Sequence, residues 1–377
     1  MNNAPATGAP AADKPGDLVD EPGEVRPEDA FDVAAAHRWI SRQVEGISEQ
    51  GPLPEVRQFP GGASNLTYLL RYSDRDLVLR RPPSGHKAAS AHDMGREYRV
   101  QKALAGWYRY VPEVLALCGD PSVIGSPFYV MTRVNGLILR KELPPGLDVP
   151  PAAAGALARR AVDCLVELHQ VDPEEAGLGD LGRGAGYVAR QIAGWSDRYR
   201  RARTPDVPDF EAVAAWLDRH QPPDVAICLI HNDFRLDNLV LRTERSGPNF
   251  RVVGVLDWEM ATLGDPMMDL GAVLSYWVQA DDDEALRRFK LQPSDLPGMP
   301  SRHELATYYC EQTGRSAGTT GDWTFYEVFG LFRLAGIMQQ IYFRYHRGET
   351  TNPAFKDYAE LVGYLDARCR AVAGLAA

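Results

Sequence analysis

The stretch LIHNDFRLDNLVL, Leu229 to Leu241, decides how the rest of the chain is read. Its apolar ends want burial as short strands. Its centre holds a histidine, an arginine, two aspartates and two asparagines. Asn and Asp favour turns because they bond to nearby backbone, so a turn capping two strands accounts for any one of these residues. It does not account for the spacing. His231, Asp233 and Asn238 form H-x-D-x-x-x-x-N, and Asp257 closes the next apolar run, VVGVLDWE. A carboxylate at Asp233 can take a proton from a hydroxyl or orient it toward an electrophile. The side-chain oxygens of Asn238 and Asp257 are hard ligands suited to Mg²⁺. Phosphoryl transfer requires one orienting base and a metal that neutralises charge on the phosphate oxygens. A metallohydrolase on His231, Asp233 and Asp257 is the competing metal reading. Such sites recruit several histidines or carboxylates, whereas the eight histidines here are dispersed.

Working outward, the 377 residues exceed a typical single domain, so two lobes are expected. A formal net charge of -10 argues against nucleic acid or an anionic membrane as partner. Five cysteines stand singly with no C-x-x-C pair, which fits buried free thiols in a reducing compartment. The first thirty residues are rich in Pro, Ala, Gly and acids without an apolar core, so they read as a disordered tail, not a signal peptide. No apolar run is long enough to span a bilayer. A soluble, cytoplasmic protein is the expectation.

Order is expected from Phe31, where FDVAAAHRWISRQV has helical spacing. A compact β-rich lobe follows, to residue 134. Its strands are one in PEVRQF before a glycine turn, then LTYLLRY, DLVLRR, VLALC and PFYVMTRV, and its helix, HDMGREYRVQKALAGW, carries Glu97. Residues 135–377 read as a larger, mainly helical lobe holding a small polar hairpin-like insert, the opening stretch. The fold class is therefore α+β, a small antiparallel β lobe joined to a helical one. Clefts between lobes commonly hold ligands.

The small lobe offers phosphate-binding parts. FPGGASNLTY is a glycine turn between strands, where the backbone N–H groups of Ala63, Ser64 and Asn65 can approach phosphates. LVLRR puts Arg80 on a strand within reach of α- and β-phosphates, and Glu97 on the next helix can orient that cation. Elsewhere an arginine near a glutamate is ordinarily a surface salt bridge.

With these residues in place, the chain resembles the aminoglycoside phosphotransferase and choline kinase family, relatives of the protein kinases. The branch it resembles occurs alone in bacteria or fused to acyl-CoA dehydrogenases. The resemblance runs from about Val56 to about Gly271 and is carried by GGASNLTYLL, LVLRRPP, REYRVQKAL, HNDFRLDNLV and GVLDWEMATLGDPMMDLG. It implies a two-lobed protein-kinase-like fold with Asp233 at the catalytic base position. Asn238 and Asp257 become Mg²⁺ ligands, Asp257 standing where kinases have the Asp of D-F-G. Met131 to Val134 becomes a hinge in which the Thr132 carbonyl and Val134 amide meet the nucleotide base. His231 would brace the loop and Asp269 would cap its amides. Family members commonly carry lysine where Arg80 stands, and Arg81 offers a second cation beside it; the two residue types grip phosphate differently.

The expected function is transfer of the γ-phosphoryl of Mg-ATP or Mg-GTP to a small-molecule hydroxyl. The acceptor is left open, as is a homodimer. A helical insert near residues 140–220 and the C-terminal helices would select the acceptor, with Tyr187, Trp195 and Glu327 as residues to watch. The alternative is a nucleotide-binding module without turnover that regulates or partners an acyl-CoA-metabolising enzyme.

Overall fold

The computed structural model describes residues 18–60, 65–83, 93–243, 249–315 and 323–376. In chain order its elements are α1 (Val33–Ser41), β1 (Glu55–Gln58), β2 (Leu66–Arg71), β3 (Asp76–Arg81), α2 (Met94–Leu104), β4 (Val114–Cys118) and β5 (Phe128–Thr132). Then come α3 (Pro151–His169), α4 (Tyr187–Ala202), α5 (Glu211–His220), β6 (Cys228–Ile230), β7 (Leu239–Arg242), β8 (Arg251–Val255) and β9 (Thr262–Gly264). The chain finishes with α6 (Pro266–Ser275), α7 (Glu284–Arg288), α8 (Arg302–Thr313), α9 (Thr324–His346) and α10 (Tyr358–Ala373). Two compact units result. One comprises Met1–Ile138, Leu239–Gly247 and Arg251–Ala261; the other comprises Leu139–Asn238, Pro248–Phe250 and Thr262–Ala377.

The first unit is built on an antiparallel sheet of order β1-β2-β3-β5-β4. Successive side chains of a strand face opposite sides, and both sides are covered. Leu66, Tyr68, Leu70, Leu77 and Leu79 pack with Ala36 and Ile40 of α1. Val78, Tyr129 and Met131 pack with Met94 of α2. Parity then separates two neighbouring arginines. Arg80 shares the α2 side with Val78, and Arg81 shares the α1 side with Leu79.

Arg81 is buried, and its Nη2 donates to the Asp29 carbonyl at 2.6 Å and to the Tyr68 hydroxyl at 3.0 Å. It is thus a structural residue rather than a second phosphate cation. The same contacts show that residues 18–30, placed in the tail by the sequence, are packed on the sheet. Gly23 pairs with Gln58 through two backbone bonds of 2.9 Å, and the Asp29 carboxylate accepts from Gln58 at 2.9 Å and Arg26 at 2.6 Å.

The strands flanking the opening stretch do not form a hairpin with each other. β6 pairs with β9, and β7 pairs with β8. The ladder partners lie downstream, so the polar stretch links two separate small sheets, and the two strands fall in different units. In the helical unit α9 is the central element, packed by α4, α5, α6 and α10. Its approach to α6 is set by glycines: a Cβ on Gly330 would lie 2.2 Å from the Gly271 carbonyl oxygen. Among the described residues all five cysteines are free thiols, and no helix is long and apolar enough to cross a membrane.

Candidate active site

In the first unit, β3 delivers Arg80 and α2 delivers Glu97. Asp93 caps α2 by accepting from the Arg96 amide, which sets the start of the helix one turn before Glu97. Arg80 Nη1 lies 3.2 Å from Glu97 Oε1, and Nη2 donates to Asp257 Oδ1 at 2.9 Å. Arg80 is 7% exposed and Glu97 1%. Burial pushes the Glu97 carboxyl up against the pull of Arg80, and the nearby Asp257 charge adds to the push. For Arg80, burial opposes the charge, yet Glu97, Tyr129 and Asp257 outweigh it and hold the guanidinium firmly protonated.

Asp257 follows β8 in the left-handed region, φ 69°, a conformation costly for a non-glycine residue and common at working sites. The residues after it are anchored in the same unit. Trp258 is fully buried, donates to the Val255 carbonyl at 2.9 Å, and meets Tyr108 edge-on. Arg96 of α2 holds the Ala261 carbonyl at 2.7 Å. Glu259 accepts from the Asn65 side chain at 2.7 Å. Asn65 is itself buried, while Ala63 and Ser64 lie outside the described residues. Of the hinge residues, Met131 packs on Val78 and Tyr129 in the α2-side core. The Thr132 amide donates to the Glu113 carbonyl at 2.9 Å, and Val134 lies against Gly254.

The second unit holds the loop after β6. Asp265 caps α6 by accepting from the Met267 and Met268 amides, and Asp269 sits one turn further on the same face. Asp269 accepts from the His231 amide at 2.9 Å and the Asn232 amide at 2.8 Å. His169 Nε2 lies 3.1 Å from the same carboxylate, and His169 Nδ1 lies 2.7 Å from the Tyr309 hydroxyl. Burial works to raise the Asp269 carboxyl, but the His169 contact and the loop amides hold it below the usual range.

Asn232, like Asp257, is left-handed, φ 65°. Its remaining polar atoms are gripped too: Arg333 Nη2 donates to its carbonyl at 2.6 Å, and the Tyr187 hydroxyl bonds its side-chain oxygen at 3.1 Å. Burial pushes the Tyr187 hydroxyl up, keeping it neutral. His231 Nδ1 accepts from the Asp233 amide at 3.2 Å, which makes His231 a brace.

The Asp233 carboxylate is itself fixed. Asn238 Nδ2 donates to the Asp233 carbonyl at 2.8 Å and to its Oδ2 at 3.1 Å, and Arg235 Nη2 lies 3.4 Å from Oδ2. Arg235 also rests on the Tyr276 ring at 4.8 Å. With its nitrogen engaged, the side-chain oxygen of Asn238 is the atom that could hold a metal. That oxygen and the Asp257 carboxylate are hard donors of the kind Mg²⁺ takes. No group of three or more His, Cys, Asp or Glu that could hold a metal ion occurs among the described residues.

The structure therefore brings together Arg80, Glu97 and Asp257 in one unit and Asp233 and Asn238 in the other. Sequence reasoning missed Arg235, His169 and Arg333. Arg235 carried a signal, two residues past Asp233; His169 and Arg333 lie tens of residues from the loop they hold. Of the residues named for acceptor selection, Tyr187 bonds Asn232 of the loop, and Glu327 lines a small cavity with Trp323 and Arg368.

Residues 55–305 match the model of the phosphotransferase enzyme family. The chain is 38% identical over 317 residues to acyl-CoA dehydrogenase family member 10 of Mus musculus, covering 84% of this chain and 29% of that protein. It is 37% identical over 350 residues to family member 11 of Gallus gallus, covering 91% of this chain and 44% of the relative. It thus spans less than half the length of either relative.

A solved Ralstonia eutropha protein, named as a candidate aminoglycoside phosphotransferase, is 34% identical, with TM-score 0.75 over 92% of this chain and 99% of that one. The GDP complex of an aminoglycoside 2'-phosphotransferase-IIIa variant is 16% identical, with TM-score 0.56 over 90% of this chain and 98% of that one, a likeness of fold. Together with the fixed Asp233 loop and the five-stranded antiparallel sheet, these matches make the chain a member of the phosphotransferase enzyme family, with the two-lobed α+β fold of its kinase-like relatives.

Proposed function

We propose that the chain transfers the γ-phosphoryl of Mg-ATP or Mg-GTP to the hydroxyl of a small molecule. One observation carries the reading: a carboxylate, Asp233, held by Asn238 and Arg235 on a loop whose Asn232 is clamped from three sides, by Asp269 and Arg333 on its backbone and Tyr187 on its side chain. Such rigidity suits a base that must meet a hydroxyl at a fixed distance. Asp233 accepts the acceptor's proton as its oxygen attacks the γ-phosphorus, the bond to the β–γ bridging oxygen breaks, and the nucleoside diphosphate leaves. Asn238 and Asp257 are the ligands for Mg²⁺, which when bound neutralises charge on the phosphate oxygens. Arg80, kept in place by Glu97, turns a guanidinium nitrogen to the α- and β-phosphates. Asn65, with Ala63 and Ser64, covers the phosphates, and Met131, Thr132 and Val134 receive the base.

The test is Asp233→Ala with ATP and GTP, each against a panel of hydroxyl metabolites and aminoglycosides, read by mass of phosphorylated product. Wild type should give product only with Mg²⁺, and the variant should lose it by about 10²–10⁴-fold while binding nucleotide normally. Equal loss of nucleotide binding would remove Asp233 from the chemistry.

One observation favours the second reading, a nucleotide-binding module without turnover. Arg80 is a fork where the family commonly has a point charge, and one tine already occupies Asp257. Absence of Mg²⁺-dependent nucleotide consumption with every hydroxyl compound, alongside normal nucleotide binding, would establish that reading.

A further inference from the structure

Beside the Asp233 loop, helices α4 and α9 hold two arginines on one indole. The Arg198 guanidinium carbon lies 4.8 Å from the centroid of the Trp195 ring, and that of Arg333 lies 5.4 Å from it. Helical spacing explains the grouping, because Trp195 and Arg198 are three apart on α4, and Arg333 and Gly336 are three apart on α9. Gly336 makes room for the ring: a Cβ there would sit 3.0 Å from Trp195 Cε3.

The arrangement is short of negative charge. Among the described residues no carboxylate forms an ion pair with Arg198 or Arg333. Asp197 draws on Arg198 electrostatically but is itself paired with Arg201 at 2.8 Å. Arg333 is only 4% exposed, and of its terminal nitrogens Nη2 serves the Asn232 carbonyl while Nη1 is buried without a hydrogen-bond partner. The Trp195 indole nitrogen is likewise buried and unpartnered. Arg198 is exposed at the outer end of the stack.

A buried donor left unbonded is costly, and two like charges over one ring add to the cost. Both terms are relieved by one arriving group, a compact oxyanion that accepts from the arginines and the indole N–H. Aminoglycosides are polycations, and this corner repels them.

We propose that Trp195, Arg198 and Arg333 form an anion subsite that takes a carboxylate or phosphate of the acceptor, so that the acceptor is a hydroxy acid or a phosphorylated alcohol. The proposal rests on the phosphotransferase reading, and it names the acceptor class for that same site. Arg198 meets the anion first. Arg333 receives it beside Asn232, the residue preceding Asp233, which sets the distance from anion to reacting hydroxyl.

Two measurements test it. In the first, calorimetry follows inorganic phosphate binding to the whole chain with the nucleotide site saturated by ADP, for wild type, Arg198→Met and Arg333→Lys. Wild type should bind, and Arg198→Met, at an exposed position that does not threaten folding, should weaken binding about tenfold or more. Arg333→Lys keeps the charge and should retain part of the affinity. In the second, glycerate, malate and 3-hydroxybutyrate are each compared with their amides as acceptors, with kanamycin alongside.

A carboxylate preference of at least about tenfold in kcat/KM, abolished by Arg198→Met with the nucleotide KM unchanged, is the expected result. Phosphate binding lost in Arg198→Met without turnover of any acceptor would leave the subsite standing and remove the transfer reaction. Absence of phosphate binding, equal binding by wild type and variants, or amides and kanamycin serving as well as acids would overturn the subsite.

Discussion

Arg80 and Arg81 are adjacent in sequence and serve opposite faces of one sheet. The first bridges Glu97 and Asp257 on the α2 side, and the second ties the Asp29 carbonyl and Tyr68 hydroxyl on the α1 side. The pair makes a clean experiment, because the same substitution at each should have a different effect. Arg80→Met strands the buried Glu97 carboxylate and should cost about 3–5 kcal/mol of stability, together with a large rise in nucleotide KM. Arg81→Met should cost about 1–3 kcal/mol and leave nucleotide KM unchanged. Denaturant melts and nucleotide titrations check both; a nucleotide defect in Arg81→Met would reverse the assignment.

Asn238 separates positioning from metal binding. Asn238→Ala removes both the amide that holds Asp233 and the proposed ligand oxygen, so it should lower kcat and raise the Mg²⁺ requirement together. Asn238→Asp restores an oxygen ligand but loses the donor to Asp233. It should recover Mg²⁺ affinity more than kcat. The check is a Mg²⁺ titration of turnover for both variants.

Asp269 carries a pH signature. Its folded carboxyl is depressed, so at acidic pH the unfolded chain binds the extra proton and stability rises with pH. The contribution is complete above the ordinary carboxylate range, near pH 4, and is lost as pH falls through the depressed folded value. Asp269→Asn removes it. The variant should be less stable at neutral pH, and the gap to wild type should narrow on acidification. Urea unfolding from pH 7 downward measures that gap; a gap widening toward low pH would contradict the sign.

Gly330 is a packing prediction free of charge. An alanine Cβ there would lie 2.2 Å from the Gly271 carbonyl oxygen, a backbone atom. Gly330→Ala should therefore force α6 and α9 apart and cost about 1–3 kcal/mol or more. Since α6 carries Asp269, activity should fall with stability. Thermal melts beside initial rates test this.

The proposed base is legible in the sequence because H-x-D-x-x-x-x-N is local, and its partner Asn238 is only five residues from Asp233. The strand alternation that separates Arg80 from Arg81 was equally present in DLVLRR, yet reading the two as a cationic pair ignored the pleat. The partners of β6 and β7 were not legible. Strands of three or four residues carry too little pattern to specify a ladder, and here the ladders close on segments downstream. The grips on Asn232 come from Tyr187 and Arg333, 45 and 101 residues away, and only folding brings them to the loop. Residues 18–30 have the composition of a tail, while their anchoring depends on Gln58, Tyr68 and Arg81, none of them local.

The four-residue step from Asp265 to Asp269 makes α6 a ruler. One carboxylate starts the helix and the other, a turn later, holds the loop that carries Asp233. A single residue inserted between them would swing Asp269 by about 100° around the helix axis, turning it away from the His231 and Asn232 amides without altering any chemical group. A conservative substitution at Val273, the one residue of α6 that is not buried, should therefore be tolerated far better than any change in helix length, and a deep insertion and deletion scan should find its sharpest intolerance between residues 265 and 269.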